Sequence, residues 1–440
     1  MKVRGLLVAL IVLAALGGAL YWSNRKQKAD AAKPAADTSP KILTIPEDQI
    51  KEVKLKKTGG DTTVLRKGDD GKWQIVEPKP LRADQDSVKS LASTLSSLNA
   101  DKLVEDKATD LAPYGLNSPS LDVTVVKKDG KTQDLYVGDD TPTGSGSYVK
   151  LAGDPHVYTV YSYVKTSLDK TSNDLRDKRL LTFDQDKLTR VDLQAKGETI
   201  EFGKNNQNDW QILKPRPLRA DGSQVEELIR KLKDAKMDTS VSAEDAKKAA
   251  AAFASGARVA VATVADASGT ESMEVRKDKD KNYYAKSSAV DGIYKVTADL
   301  GDGLDKKLDD FRNKKLFDFG WTDPNKVQVG KAAYDKVGDK WMAGAKQMDS
   351  PSVQSVVDKL RDLTATKFLD SGGAGAPVLD LVVSSNNGKR VEKVSITKQG
   401  DTYFAKRENE PSIYQLDSKA VEDLQKAASE VKAFQPPKKK

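Results

Sequence analysis

A long segment of this chain is written out almost twice. Trp73-Gln74-Ile75-Val76-Glu77-Pro78-Lys79-Pro80-Leu81-Arg82-Ala83-Asp84 returns as Trp210-Gln211-Ile212-Leu213-Lys214-Pro215-Arg216-Pro217-Leu218-Arg219-Ala220-Asp221, and a worn third copy starts at Trp341. A second marker follows in the same order: Tyr148-Val149-Lys150 before Tyr158, Tyr284-Ala285-Lys286 before Tyr294, and Phe404-Ala405-Lys406 before Tyr414. From first aromatic to tyrosine the spacing is 10 residues each time. The period is about 130 residues, far above the roughly 20–50 of solenoid repeats, so each copy is long enough to hold a core of its own. A chain of 440 residues at about 150 per domain gives the same count of three.

Each copy reads as α+β. Alternation such as Val53-x-Leu55 and Val191-x-Leu193 marks half-buried strands, and the strand ending at each tryptophan follows turn residues such as Asp69-Asp70-Gly71. Next comes a helical period: Val88, Leu91, Leu95 and Leu98 in the first copy, Val225, Leu228, Leu232 and Ala235 in the second, Val353, Val356, Leu360 and Leu363 in the third. Asp84, Asp221 and Asp349 stand four residues before the first apolar position and are placed to cap these helices. Strands return afterwards: Leu121, Val123 and Val125 before Asp129-Gly130, Val259, Val261 and Val264 before Ser268-Gly269, and Leu379, Leu381 and Val383 before Asn387-Gly388. A short helix closes each copy, at 163–175, 300–311 and 418–431, and the runs 175–180 and 311–316 join one copy to the next. The expected architecture is three tandem modules, 41–179, 180–315 and a divergent 316–435, each an antiparallel sheet with one main helix packed on it and a short closing helix.

The net charge of +8 says little about the modules. Lys2, Arg4, Arg25, Lys26, Lys28 and Lys33 outnumber Asp30 and Asp37, and Lys432, Lys438, Lys439 and Lys440 crowd the other end, so the tails account for the whole excess. A nucleic-acid-binding domain shows its basic excess in the folded part, so nucleic acid is not expected as a partner. There is no cysteine, which excludes disulfides and thiolate chemistry. Residues 1–22 read as a membrane anchor: the uncharged run from Gly5 to Trp22 just reaches the roughly 30 Å of a hydrocarbon core, and Tyr21 and Trp22 suit an interfacial belt before Arg25 and Lys26. A cleaved signal peptide with Gly17-Gly18-Ala19 as its cleavage site is the competing reading. Residues 23–40 read as a flexible stalk and 436–440 as a basic tail.

Tyr114-Gly115-Leu116-Asn117-Ser118-Pro119, the stretch Val137-Gly138-Asp139-Asp140-Thr141-Pro142-Thr143-Gly144, the Trp-x-Ile-x-x-Pro element and the anchor together resemble the bacterial family known as domain of unknown function 4340. The resemblance is best in 42–180, good in 180–315 and weak in 316–435. It implies a membrane-anchored accessory protein beside ABC-transporter components of the gliding-motility type, and it carries no catalytic residues with it.

Sites are scarcer than architecture. The single histidine, His156, lies in a turn and cannot make a usual zinc site alone. No Gly-x-Ser-x-Gly elbow occurs, and Gly144-Ser145-Gly146-Ser147 lacks the ending of a phosphate loop. Asp139-Asp140, Asp309-Asp310 and Asp278-x-Asp280 are carboxylate clusters best explained by turns and helix ends. The sequence calls for no catalytic residue, cofactor or metal. The best candidates for contact with an anion or a partner are Lys79, Arg82, Arg216 and Arg219, beside helix N-termini that attract negative charge. The competing reading is structural: the prolines stiffen the crossover, Leu81 and Leu218 plug the core and the aspartates cap. Trp73, Trp210 and Trp341, and Tyr158, Tyr294 and Tyr414, read as packing markers of the repeat.

The functional expectation is a non-enzymatic scaffold, a single-pass protein of the inner membrane. Its body would lie in the extracytoplasmic, periplasmic space and bind protein subunits of an envelope or ABC-transport complex. The alternative is a module for envelope glycan or an anionic ligand, using Arg82 and Arg219. A carboxylate-dependent hydrolase is the weakest of the three. The sequence leaves the oligomeric state open.

Overall fold

The computed structural model describes residues 39–238, 243–319, 324–373 and 375–436. The anchor at 1–22, the stalk up to residue 38 and the last four residues of the basic tail lie outside them. No helix among the described residues is long and apolar enough to cross a membrane.

The chain forms two compact units that meet in sequence at Asp177/Lys178. The first holds the first repeat. Its sheet has nine strands in the order Leu81–Arg82, Trp73–Glu77, Thr62–Lys67, Ile50–Lys57, Leu121–Lys127, Thr132–Asp140, Gly146–Leu151, Val157–Tyr161 and Lys102–Glu105. Every pairing is antiparallel. The two meanders, 50–82 and 121–161, are joined by the helix α1 (Gln85–Ser96), which buries Val88, Leu91, Ala92 and Leu95. Leu98 is buried too, but it lies past the helix, in a strand at 97–99 that pairs with Lys41–Thr44.

The second unit holds repeats two and three with the same strand order. Among the described residues repeat two has eight strands and repeat three nine. Helix α2 (Gly222–Asp234) buries Val225, Leu228, Ile229 and Leu232, and α4 (Ser350–Asp362) buries Val353, Val356, Val357 and Leu360. Ala235 and Leu363 are the C-cap residues of these helices. Between them, α3 (Ala243–Ser255) replaces in repeat two the single 3₁₀ turn Ala112–Tyr114 of repeat one. Each repeat has its own apolar core.

Two local expectations are corrected. In the strand Ala257–Asp266 the inward residues are Ala260, Ala262 and Val264, while Val259 and Val261 are only half-buried. The helix Ala298–Leu304 lies against this strand, and small side chains let it approach. The closing helices of the first two repeats are each broken in two, Ser162–Leu168 with Ser172–Leu175 and Ala298–Leu304 with Leu308–Phe311. In the first, Thr171 and Asp174 form a reciprocal capping box that starts a new helix after the break. The third closing helix, Ser418–Ser429, is continuous.

Candidate functional site at the junction of repeats two and three

The repeated markers occupy equivalent places. Trp73, Trp210 and Trp341 are buried at 6%, 8% and 2% exposure, each with a lysine over its ring: Lys67, Lys204 and Lys336. The capping aspartates accept from backbone N–H groups: Asp84 from Ser87 at 2.8 Å, Asp221 from Ser223 at 3.1 Å, Asp349 from Ser352 at 3.1 Å. Each marker tyrosine closes the turn just before it. Tyr158 donates to the Asp154 carboxylate at 3.2 Å, Tyr294 to the Asp291 carbonyl at 2.6 Å, and Tyr414 to the Glu410 carboxylate at 2.5 Å.

The backbone around the Pro-x-Pro-Leu-Arg loop closes its own repeat. The Asp84, Asp221 and Asp349 N–H groups donate to the carbonyls of Leu175, Phe311 and Lys432, each at 2.8 Å. Two residues further on, Asp177, Asn313 and Phe434 donate back to the carbonyls of Arg82, Arg219 and Gln347. The joining run therefore acts as a last short strand of the repeat it leaves.

In the second unit the side chains of this loop reach the next repeat. Arg219, with 13% of its side chain exposed, places Nη2 2.5 Å from Asp318 Oδ1 and Nε 3.6 Å from Glu410 Oε1. Its Nη1 donates to the Lys315 carbonyl at 2.8 Å. Arg216 pairs with Asp370. From the third repeat, Arg407 donates to Glu410 at 2.7 Å, to Glu392 at 3.1 Å and to the Leu316 carbonyl. Glu392 accepts from the Asp318 N–H at 3.0 Å, and Arg390 donates to the Asp318 carbonyl at 2.9 Å. Arg312 lies 3.7 Å from the Phe368 ring centroid and donates to Ser412 at 2.8 Å. Beside this network lies a polar cleft of about 560 Å³, edged by Asn205, Asn208, Trp210 and Glu226.

The electrostatics are those of a filled network. Burial alone would pull the Arg407 guanidinium down, but Glu410, Asp318 and Glu392 outweigh it and hold it above its ordinary value. Burial, with Glu410 alongside, pushes the Tyr414 hydroxyl up to about 12.

Of the four cations singled out in the sequence, Arg216 and Arg219 come together here. Lys79 is exposed in the first unit, and the Arg82 carbonyl takes the Asp177 N–H there. The carboxylate clusters spread apart: Asp309 and Asp310 start a helix, Asp278 accepts turn N–H groups of Asp280 and Asn282, and Asp140 pairs with Lys165 at 2.7 Å. Gly115, at φ +66°, lies under the Asp139 carboxylate, and Gly138 packs on the Tyr114 carbonyl, so the two first-repeat motifs meet as one packed corner. Asp318, Glu392, Arg407 and Glu410 were not anticipated. Glu392 carried a signal: it stands in phase with the inward residues Val394 and Ile396, where a charge needs a partner.

The family model for a domain of unknown function (DUF4340) matches residues 73–249 and again 210–380. The chain belongs to this family. Both matches begin at a marker tryptophan, so the family unit and the internal repeat coincide at their start. No curated protein and no solved structure matches the chain.

Proposed function

We propose that this member of the family is a non-enzymatic, membrane-tethered scaffold. Its modules carry contacts to protein subunits of an envelope or ABC-transport-associated complex on the periplasmic side of the inner membrane. The observation that carries the reading is the fate of Arg219. The residue best suited to hold an anion spends its donors on Asp318, Lys315 and Glu410 and fastens one repeat to the next. That favours a role for the residue in joining repeats two and three over the glycan- or anion-binding alternative. The apolar run 5–22 supports the tether.

The test has two arms. Alkaline extraction of membranes should leave the chain in the pellet, and protease added to spheroplasts should reach residues 41–435. Cross-linking before detergent extraction should then recover other membrane or envelope subunits with it. A chain recovered alone from cross-linked membranes would sink the scaffold reading.

A further inference from the structure

One corner of the first unit is apolar without an evident folding reason. Lys102–Glu105 is the edge strand of its sheet, paired only with Val157–Tyr161 among the described residues. Its Leu103 and Val104 are 45% and 40% exposed, and neighbours on a strand face opposite ways, so both faces of the edge are bare. Beside it Tyr161 and Tyr163, 49% and 67% exposed, stack with ring centroids 5.8 Å apart.

The other repeats show what these positions do elsewhere. Leu103 pairs with the marker Tyr158, as Phe368 pairs with the marker Tyr414. Phe368 is buried and carries Arg312 of the preceding repeat on its ring. In the third repeat, then, this edge is the face turned to whatever comes before it in the chain. Tyr161 stands three residues after its marker, where the other repeats have Thr297 and Asp417. Those two cap their helices through side-chain oxygens, and Tyr161 provides no such cap. The first repeat thus gives up a cap to display an aromatic ring.

What precedes the first repeat is the apolar run 5–22. The chain enters this unit at the same corner: the Pro40 carbonyl accepts from Ala100 N–H at 2.7 Å, and the next N–H, of Asp101, turns to Thr159. The eighteen residues from Ser23 to Pro40 span at most about 65 Å, and they leave the unit at this corner, so of the whole unit it is the corner tied by the shortest chain path to the surface that holds the anchor. We propose that Leu103, Val104, Tyr161 and Tyr163 seat the body on the lipid headgroup interface beside its own anchor. Tyrosines with a polar hydroxyl and an apolar ring suit that depth, and the flanking charges are mixed, with exposed Lys41 and Lys102 beside exposed Asp106 and with Asp101 bonded to the Tyr161 hydroxyl. The inference rests on the tethered reading above.

The absence of cysteine makes the test clean. Tyr163→Cys, Leu103→Cys and, as control, Lys72→Cys are made in the full chain, labelled with an environment-sensitive dye and reconstituted into phosphatidylethanolamine–phosphatidylglycerol vesicles. The labels at 163 and 103 should shift to the blue and be quenched by brominated lipid at least about twofold more than the label at 72, as interfacial groups are. Labels at 163 and 103 that stay as wet as the control, in protein retained by the vesicles, overturn the proposal while leaving the tether intact. If those labels turn apolar only when a membrane-protein extract is added, the face is a protein-docking edge and the lipid proposal is wrong. A chain that washes off the vesicles at alkaline pH removes the tether, and this inference with it.

Discussion

Repeats two and three use the same backbone after their tryptophans and different side chains. Ala220 bridges Arg312, and Met348 bridges Ala433 in the same way. The Arg219 carbonyl accepts from Asn313, and the Gln347 carbonyl from Phe434. Yet the ten residues between Trp210 and Asp221, Pro215-Arg216-Pro217-Leu218-Arg219 among them, have become the seven between Trp341 and Asp349, which include neither proline nor arginine. The backbone of this loop closes its own repeat, and that task is common to both. The arginine side chains of the second copy serve the repeat that follows, and the third copy has none at these positions.

The largest effect should come from the cores. Trp210→Ala and Trp341→Ala should each cost about 3–5 kcal/mol, since both rings are buried. Hydrogen exchange should show Trp210→Ala stripping protection from 180–315 and from 316–435 together, because the arginine network ties the two repeats. Loss confined to 180–315 would mean that the junction couples them weakly.

The junction comes next. Arg219→Ala leaves Asp318 and Glu410 short of a charged donor and should cost about 1.5–3 kcal/mol by urea unfolding. The matching Gln347→Ala should stay within about 0.5 kcal/mol. Equal costs would erase the contrast between the two loops. The caps sharpen it from the other side. Asp221→Ala and Asp349→Ala should lose about the same, near 1 kcal/mol each, because capping belongs to the shared task. A clear inequality would show that the third helix start has diverged along with its loop.

The smallest effect lies under the marker tyrosines. Tyr414 is sealed, whereas the turn below Tyr158 holds the single histidine. His156 Nδ1 meets Asp154, and its Nε2 lies 3.0 Å from Asp106. Its hydrogen bond to Asp154, then the charges of both carboxylates, raise its pKa above 6.5. The sign follows: stability from this contact is fully present below the ordinary histidine value and is lost as pH rises through the raised one. The His156 ring signal in proton NMR should titrate above 6.5, and a midpoint at or below it would remove the contact from solution.

Strand alternation, the cap aspartates and the repeat markers were legible because they are local: each depends on residues a few positions apart. The inward face of Ala257–Asp266 is hard to read from sequence because its core side is rich in alanine, which gives a weak apolar signal beside half-buried valines on the other face. The helix α3 was missed because an alanine-rich run has little amphipathic period. The meeting of Arg219, Asp318, Glu392 and Arg407 is a matter of topology, which no spacing reveals, although the inward phase of Glu392 asked for a partner.

The join between repeats two and three has a mechanical consequence. Asn313 N–H is bonded back to Arg219, and the Lys314 carbonyl accepts from Ala365 in the third repeat. One repeat's grip ends and the next begins across a single peptide bond. No residue is left over to act as slack, so a pull on the third sheet reaches the second through the backbone at once. The second unit, strung this way, passes force from one sheet to the next instead of absorbing it.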